Sequence, residues 1–406
     1  MHRRQVLQGL VASGLYGLSP HTFALRGIEQ TPPLIVIFLR GAIDGLSVLY
    51  PYTDQQYYQL RPDLALTAPA PHDPHRLNTQ FALHPSMAAL LPYWHNQSLA
   101  LVQACGLIDP IRSHFEAQHL MEVGGQQPST QAEGWLNRLL QVLQRRQAHT
   151  TALSIGSVVP MILQGQAAVT PVQLGRMATQ PSIFEQTQYQ ALLARLYQSH
   201  PLAAEYAQAY QSRQRLLAAL NADDPTMMQM MEQTQGFAVD ALQIATMLKQ
   251  DGHIPIVMSS VGGWDTHANQ GNATQGWLQL HLRRFAEGLA TLIEALGEQY
   301  QHSTIVVMSE FGRTVQQNGT LGTDHGRANL MWVLGGRIAG GKIYGEWPTL
   351  DRDQLFEQRD LPVLIDYRQV ISTVLTQHFQ LSDAELSFIF PEPWQAVRGL
   401  ETLWRA

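Results

Sequence analysis

The chain has 406 residues, 45% of them apolar and only 14% charged, with a formal net charge of −6. That length holds one large α/β domain with insertions or two ordinary domains, and the apolar share supplies a sizeable core, which excludes a disordered chain. The negative balance argues against a nucleic-acid partner held by phosphate neutralisation, and the single cysteine, Cys105, excludes an internal disulfide and a cysteine-based zinc cluster.

The N-terminus, Met1-His-Arg3-Arg4-Gln-Val-Leu7, precedes an uncharged apolar run from Gly9 to Leu18. A positive segment before a short apolar one is the pattern of a signal peptide, and paired arginines point to the twin-arginine export route. The expectation is a leader over residues 1–24 and a periplasmic or secreted protein; an ordinary cytosolic N-terminal helix is the alternative. No later stretch reaches 18 uninterrupted apolar residues, so no transmembrane helix is expected.

After the leader, Pro32 to Leu39 reads as a strand buried on both faces. It runs into a Gly-rich loop, Arg40-Gly41-Ala-Ile-Asp44-Gly45. Ser86–Trp94 has helical spacing, and Leu99–Ala104 is a short strand that delivers Cys105 as a buried strand-end residue. Phe115–Val123 predicts a helix with Ser113 as N-cap and Glu116 three residues on. Gly134–Leu143 is an amphipathic helix, and Ala152–Val159 a strand. Residues 180–250 read as almost wholly helical, with a break at Asn221-Ala-Asp-Asp-Pro225; about 180–235 is expected to form a helical insertion.

Two strand-to-ligand units follow. Ile254–Val261 leads to Gly262-Gly-Trp-Asp265-Thr-His267, and Ser303–Met308 leads to Glu310, separated by an amphipathic helix over Gln279–Leu296. A loop then presents Thr323-Asp324-His325-Gly326-Arg327 before the strand Leu330–Leu334. Tyr367–Phe379 is a further helix. Strands alternating with helices give an α/β fold with a large, mostly parallel sheet, within one domain spanning about residues 30–400.

In such sheets ligands bind beyond the carboxyl ends of strands, where Asp44, Asp265 and Glu310 are placed. Carboxylates and neutral imidazoles are what a divalent metal takes, so Asp44, Asp265, His267, Glu310, Asp324 and His325 are the candidate ligands. Clustered carboxylates repel unless a cation offsets them. Each candidate also has a local alternative: Asp44 in an Asp-Gly turn, Glu310 paired with Arg313, Asp324 as a cap. Arg40, Arg112, Arg313 and Arg327 stand close in sequence to these residues, and arginine forks suit phosphate, sulfate or carboxylate. Ser113 at a helix N-terminus is a candidate nucleophile, with plain N-capping as the alternative. His84, His114 and His119 are possible further donors.

Phe38-Leu-Arg-Gly-Ala-Ile-Asp44-Gly-Leu-Ser, Arg112-Ser-His-Phe-Glu-Ala-Gln118, Gly262-Gly-Trp-Asp-Thr-His-Ala-Asn-Gln270, Ser309-Glu-Phe-Gly-Arg-Thr314 and Thr323-Asp-His-Gly-Arg327 together resemble the "domain of unknown function 1501" family over about residues 30–395. That family is similar to the alkaline phosphatase and sulfatase superfamily. The resemblance implies a three-layer sandwich, a large sheet between helical layers. It also implies a two-metal site (Zn, Mn, Mg or Ca) acting on phosphate or sulfate esters of a small molecule or glycan. It makes Asp44 the metal ligand after the first strand, and Ser113 the residue at the nucleophile's place. Asp265 with His267, and Asp324 with His325, become ligand pairs. For such a hydrolase, Arg112 and Arg313 are the candidates to hold the anion. The superfamily supplies a further histidine late in the chain; here the only one is His378, inside a predicted helix. A non-catalytic periplasmic protein of the same fold, binding an anionic glycan or a protein partner, is the alternative.

Overall fold

The computed structural model describes residues 31–125, 133–147, 150–172, 187–198, 203, 207, 236–272, 275–391 and 400–405. The leader expected over 1–24 and most of the insertion expected over 180–235 lie outside them. The strands are β1 Leu34–Leu39, β2 Leu49–Tyr50, β3 Ala82–Leu83, β4 Leu99–Gly106, β5 Ala152–Ile155, β6 Thr170–Val172, β7 Ile256–Val261, β8 Thr304–Met308, β9 Asn329–Leu334, β10 Lys342–Tyr344 and β11 Ile365–Asp366. The longer helices are α1 His114–Val123, α2 Trp135–Arg146, α3 Thr187–Tyr197, α4 Phe237–Gln250, α5 Trp277–Leu296 and α6 Tyr367–Phe379.

The apolar run Leu-Ile-Val-Ile-Phe-Leu forms β1 and is buried throughout. Its side chains alternate between two cores, as a period of two requires. Leu34, Val36 and Phe38 join residues of α1, α2 and α6. Ile35, Ile37 and Leu39 join residues of α4 and α5. Helices therefore cover both faces of one sheet.

That sheet has nine strands among the described residues, in the order β10-β4-β9-β8-β1-β7-β5-β6, with β11 also on β4. β1 lies parallel to β7 and to β8. β9 alone runs against its neighbours, β4 and β8. β4, β8, β1 and β7 thus point the same way, and their carboxyl ends share one edge with the start of β9. The small β2–β3 pair is antiparallel.

Two of the differences from the expected boundaries have a local cause. β5 stops at Ile155 because Gly156 turns the chain at φ +135°. The stretch expected as one helix over Ser86–Trp94 divides into a 3-10 helix, Pro85–Leu90, and a short α-helix, Leu91–His95, with Pro92 unable to donate in the first turn of the second. Cys105 is a buried strand-end residue, and burial pushes its thiol well above the ordinary range.

His378 lies far from the strand ends that carry the candidate ligands. Its Nε2 donates to the Pro32 carbonyl at 2.9 Å, so its Nδ1 accepts from the Thr304 hydroxyl, also at 2.9 Å. It pins α6 to the opposite, N-terminal end of β8. Burial holds its pKa down to about 4. A base whose folded pKa lies below its unfolded value stabilises the fold above about pH 6.5 and loses that contribution as pH falls toward 4. His378→Gln should therefore shrink the loss of unfolding free energy between pH 7 and pH 4.5 by about 1–2 kcal/mol relative to the parent protein; urea denaturation at the two pH values checks it.

Candidate metal centre

The loops after β4, β1, β7 and β8 meet the loop before β9 at one edge of the sheet, and glycines let them touch. Gly41, at φ +113°, packs so closely that a Cβ there would sit 2.7 Å from the Asp265 amide nitrogen. A Cβ on Gly322 would lie 2.3 Å from the His267 carbonyl carbon. The 313–325 loop closes on itself: Arg313 and His325 form an antiparallel bridge, and Thr314 donates to the Asp324 carbonyl at 2.9 Å.

Three imidazoles and one carboxylate face one another there. His114, Asp265 and His325 bring donor atoms within 4.8 Å of one another. His267 Nε2 stands 2.9 Å from His325 Nε2 and 3.1 Å from Asp265 Oδ1. His325 Nε2 is 3.6 Å, and His114 Nε2 3.5 Å, from the same Asp265 carboxylate.

The other nitrogen of each ring decides what the inner one offers. His114 Nδ1 donates to Glu310 Oε1 at 2.8 Å. His325 Nδ1 faces the Arg112 carbonyl oxygen at 2.7 Å, which can only accept, so the proton sits on Nδ1. His267 Nδ1 faces Asp324 Oδ1 at 3.3 Å. With the Nδ1 proton directed outward, as at His114 and His325, a neutral ring turns its Nε2 lone pair inward. This is the arrangement in which metal-ligating histidines are held, the outer acceptor fixing tautomer and ring angle. His114 Nε2 is buried without a hydrogen-bond partner. The His325 Nε2 lone pair faces His267 Nε2 across 2.9 Å, a contact that takes either a proton on His267 Nε2 or a cation between the two rings. An orphaned imidazole nitrogen, two facing ring nitrogens and a carboxylate fit a divalent metal.

The electrostatics agree. The Glu310 hydrogen bond, outweighing burial, raises the His114 pKa. Burial lowers that of His325. Burial would raise Asp265, but the hydrogen bond and charge of Arg313 outweigh it and keep the carboxylate ionised. Hydrogen bonds from His114, Gln118 and Gly41 do the same for the buried Glu310.

Of the six expected ligands, Asp265, His267 and His325 come together. Glu310 and Asp324 stand one residue further out, each on a histidine Nδ1. Glu310 Oε1 already accepts from Gly41 N, His114 Nδ1 and Gln118 Nε2, which leaves it an orienting role. Asp324 Oδ1 also accepts from Asn318 Nδ2 at 3.0 Å.

Asp44 is a correction. It is fully buried, and its carboxylate takes a two-point ion pair from Arg61, at 2.6 and 3.1 Å, with hydrogen bonds from Ser47 and Gln270. A carboxylate buried and neutralised in this way serves the core rather than a metal. Arg313 is a second correction: buried, it donates to the Gly41, Ala42, Trp264 and Thr323 carbonyls and to Asp265 Oδ1 at 2.6 Å. It positions Asp265 and cannot turn toward an external anion.

Ser113 is the N-cap of α1, as expected, but its side chain makes no cap hydrogen bond and is exposed. Arg112 and His114 on either side both contact the centre, so Ser113 is held at its margin. His84 is structural: buried, it accepts from Ser86 N at 3.0 Å, and burial lowers its pKa to about 4.

His114 enters the centre from a helix start rather than a strand end, so the strand-to-ligand pattern does not select it. Its neighbourhood in Arg112-Ser-His-Phe-Glu-Ala-Gln118 was the available signal. Gln118 and Arg61 carry no sequence signal of their roles.

The family model described as protein of unknown function (DUF1501) matches residues 32–389, and the chain belongs to that family. Among solved structures, "Ps i-CgsB in complex with k-i-k-neocarrahexaose" is similar at a TM-score of 0.42 and 12% identity, covering 88% of this chain and 74% of that one. The C-terminal periplasmic domain of EcEptC from Escherichia coli is similar at a TM-score of 0.30 and 10% identity, covering 75% of this chain and 72% of that one. No curated protein matches the chain.

The buried Asp44 and the solvent-reaching Asp265 should separate cleanly on substitution. Asp44→Asn leaves Arg61 charged and unpaired in the core, and should lower unfolding free energy by about 3–5 kcal/mol while zinc stoichiometry stays that of the parent. Asp265→Asn should weaken zinc binding at least tenfold with a far smaller stability change in the metal-free protein. Chemical denaturation with chelator, alongside zinc titration, checks both.

Proposed function

We propose that this DUF1501 member is an exported, metal-dependent hydrolase of phosphate or sulfate esters. The observation that carries the reading is the convergence of His114, His267 and His325 on Asp265, each ring locked from outside by Glu310, Asp324 or the Arg112 carbonyl. A divalent cation held there supplies Lewis-acid stabilisation of charge developing on an ester oxygen.

The chain's own groups support the rest. The Ser113 hydroxyl, exposed and not engaged in capping, is the candidate nucleophile, with the amino end of α1 behind it favouring negative charge. Glu310 keeps His114 in one tautomer, with Gln118 and Gly41 fixing the carboxylate in turn. Arg112 is the cation left to meet the substrate's anion, since Arg313 is committed to Asp265. The edge is open to water, with Asp265, His267 and Asp324 all partly exposed, so a ligand reaches it without rearrangement of the core.

Export rests on the leader: the paired Arg3 and Arg4 ahead of the apolar run. Among the described residues no helix is long and apolar enough to cross a membrane.

The test is a panel of chromogenic phosphate and sulfate esters against protein loaded with Zn²⁺ or Mn²⁺. Turnover should fall at least about 100-fold in His114→Ala and in Asp265→Ala, and about 10–100-fold in Glu310→Gln, which keeps the shape but weakens the hold on His114. Stoichiometric metal with no turnover on any ester would replace the hydrolase with a binding protein. A separate prediction concerns export: Arg3→Lys with Arg4→Lys should leave the precursor in the cytoplasm, read by cell fractionation.

A further inference from the structure

The turn Phe356–Arg359 breaks the rule for its geometry. Arg359 N donates to the Phe356 carbonyl at 3.1 Å, and the two central residues, Glu357 and Gln358, lie at φ +52° and +54°. Two successive left-handed residues make a type I′ turn, a conformation that favours Asn and Gly. Here it carries two long side chains and no glycine. Backbone strain of this kind persists where surrounding contacts impose it.

Backbone bonds exchanged between Phe356 and Asp360, at 2.9 and 3.0 Å, close the turn, and arginines grip its acids. Arg112 Nη2 donates to Glu357 Oε2 at 2.7 Å. On its inner side the same guanidinium grips the fully buried Asp360 through Nε and Nη2, at 3.1 and 2.6 Å. Arg359 Nη1 shares Asp360 Oδ2 at 3.1 Å. Arg327 lies 4.0 Å over the Phe356 ring, its Nε buried and without a partner. Three cations therefore surround two acids. Of these, Asp360 is fixed in the interior, whereas Glu357 is 55% exposed and reaches the arginine from solvent.

Both arginines are also tied to the metal centre. The Arg112 carbonyl accepts from His325 Nδ1, and Arg359 Nη2 donates to the His325 carbonyl at 3.0 Å. An anion on the outer edge of Arg112 would sit beside a candidate metal ligand.

We infer that the outer edge of Arg112 is an anion subsite which Glu357 fills from within, and that a sulfate or phosphate group of the ligand takes the place of its carboxylate. The inference deepens the hydrolase reading by making the substrate polyanionic: one ester at the metal, another anionic group on Arg112. It rests on that reading for the catalytic end alone. One feature makes the exchange favourable: a sulfate or phosphate offers two oxygens to the guanidinium fork and also brings charge toward Arg359 and Arg327.

Sulfate binding to the full chain, followed by calorimetry at fixed ionic strength, tests this without any turnover. Glu357→Gln should bind inorganic sulfate about fivefold or more tighter than the parent, as removal of an internal exposed ion pair allows. Gln358→Gly, which suits the turn and leaves Glu357 in place, should bind it no more tightly than the parent. Neither change touches a cation. Adding Arg112→Lys to Glu357→Gln should abolish the gain, because lysine keeps a charge for Asp360 but loses the fork. The gain should survive in Asp265→Asn, which separates the subsite from the metal centre. Equal sulfate affinity in the parent and in Glu357→Gln would overturn the inference, as would a gain that persists with Arg112→Lys. Loss of ester turnover in Asp265→Asn bears only on the hydrolase reading.

Discussion

Imidazole lone pairs gathered at one point repel, and everything at this edge of the sheet is arranged to hold them there regardless. Each ring is caught by its far nitrogen: His114 by Glu310, His267 by Asp324, His325 by the Arg112 carbonyl. Those partners are themselves held. Glu310 accepts from three donors on one oxygen, and Asp324 from Asn318. Such a shell keeps the rings pointed inward with a cation present or absent, which is what a site of defined affinity requires.

The sheet makes this possible by direction alone. β4, β8, β1 and β7 run parallel, so the loops that follow them leave at the same edge, and antiparallel β9 begins there too. Residues as remote in the chain as His114 and His325 meet because their strands end or start together. Buried arginines then fix the loops. Arg313 collects four carbonyl oxygens and Asp265, and Arg61 collects the Asp44 carboxylate with the Val315 and Thr314 carbonyls. Each gathers several backbone acceptors that would otherwise be buried without partners.

The sequence made the framework readable because its signals are periodic. A β-branched run buried on both faces names β1, β7 and β8, and helical spacing names α4, α5 and α6. The site was half readable. Asp265, His267 and His325 follow from carboxylates and imidazoles placed past strand ends. Distinguishing a ligand from the acid that orients it was not possible, because Glu310 and Asp265 have the same chemistry and equivalent positions after their strands. Only partners decide: Glu310 is buried beneath His114, whereas Asp265 is partly exposed among three imidazoles. Asp44 shows the same limit, since Arg61 lies on a separate segment whose sequence does not mark it as the counter-ion.

Arginines and acids pair at different depths. Asp44 and Arg61 are both fully buried, the buried Arg313 holds the exposed Asp265, and the buried Asp360 lies under the partly exposed Arg112. Where both partners are interior, as at Asp44 and Arg61, the pair closes on itself and leaves no charge for a ligand. Where the arginine reaches the surface, as Arg112 does, one edge stays available and only an exposed acid on a strained turn covers it. The difference between a structural arginine and a recognition arginine in this protein therefore lies in depth: lysine is nearly absent from the chain, with Lys249 and Lys342 alone, so the fork-shaped cation serves both purposes. An interior fork fastens loops, and the same fork at the rim, beside His325, keeps one edge toward solvent, the edge proposed to take a tetrahedral oxyanion.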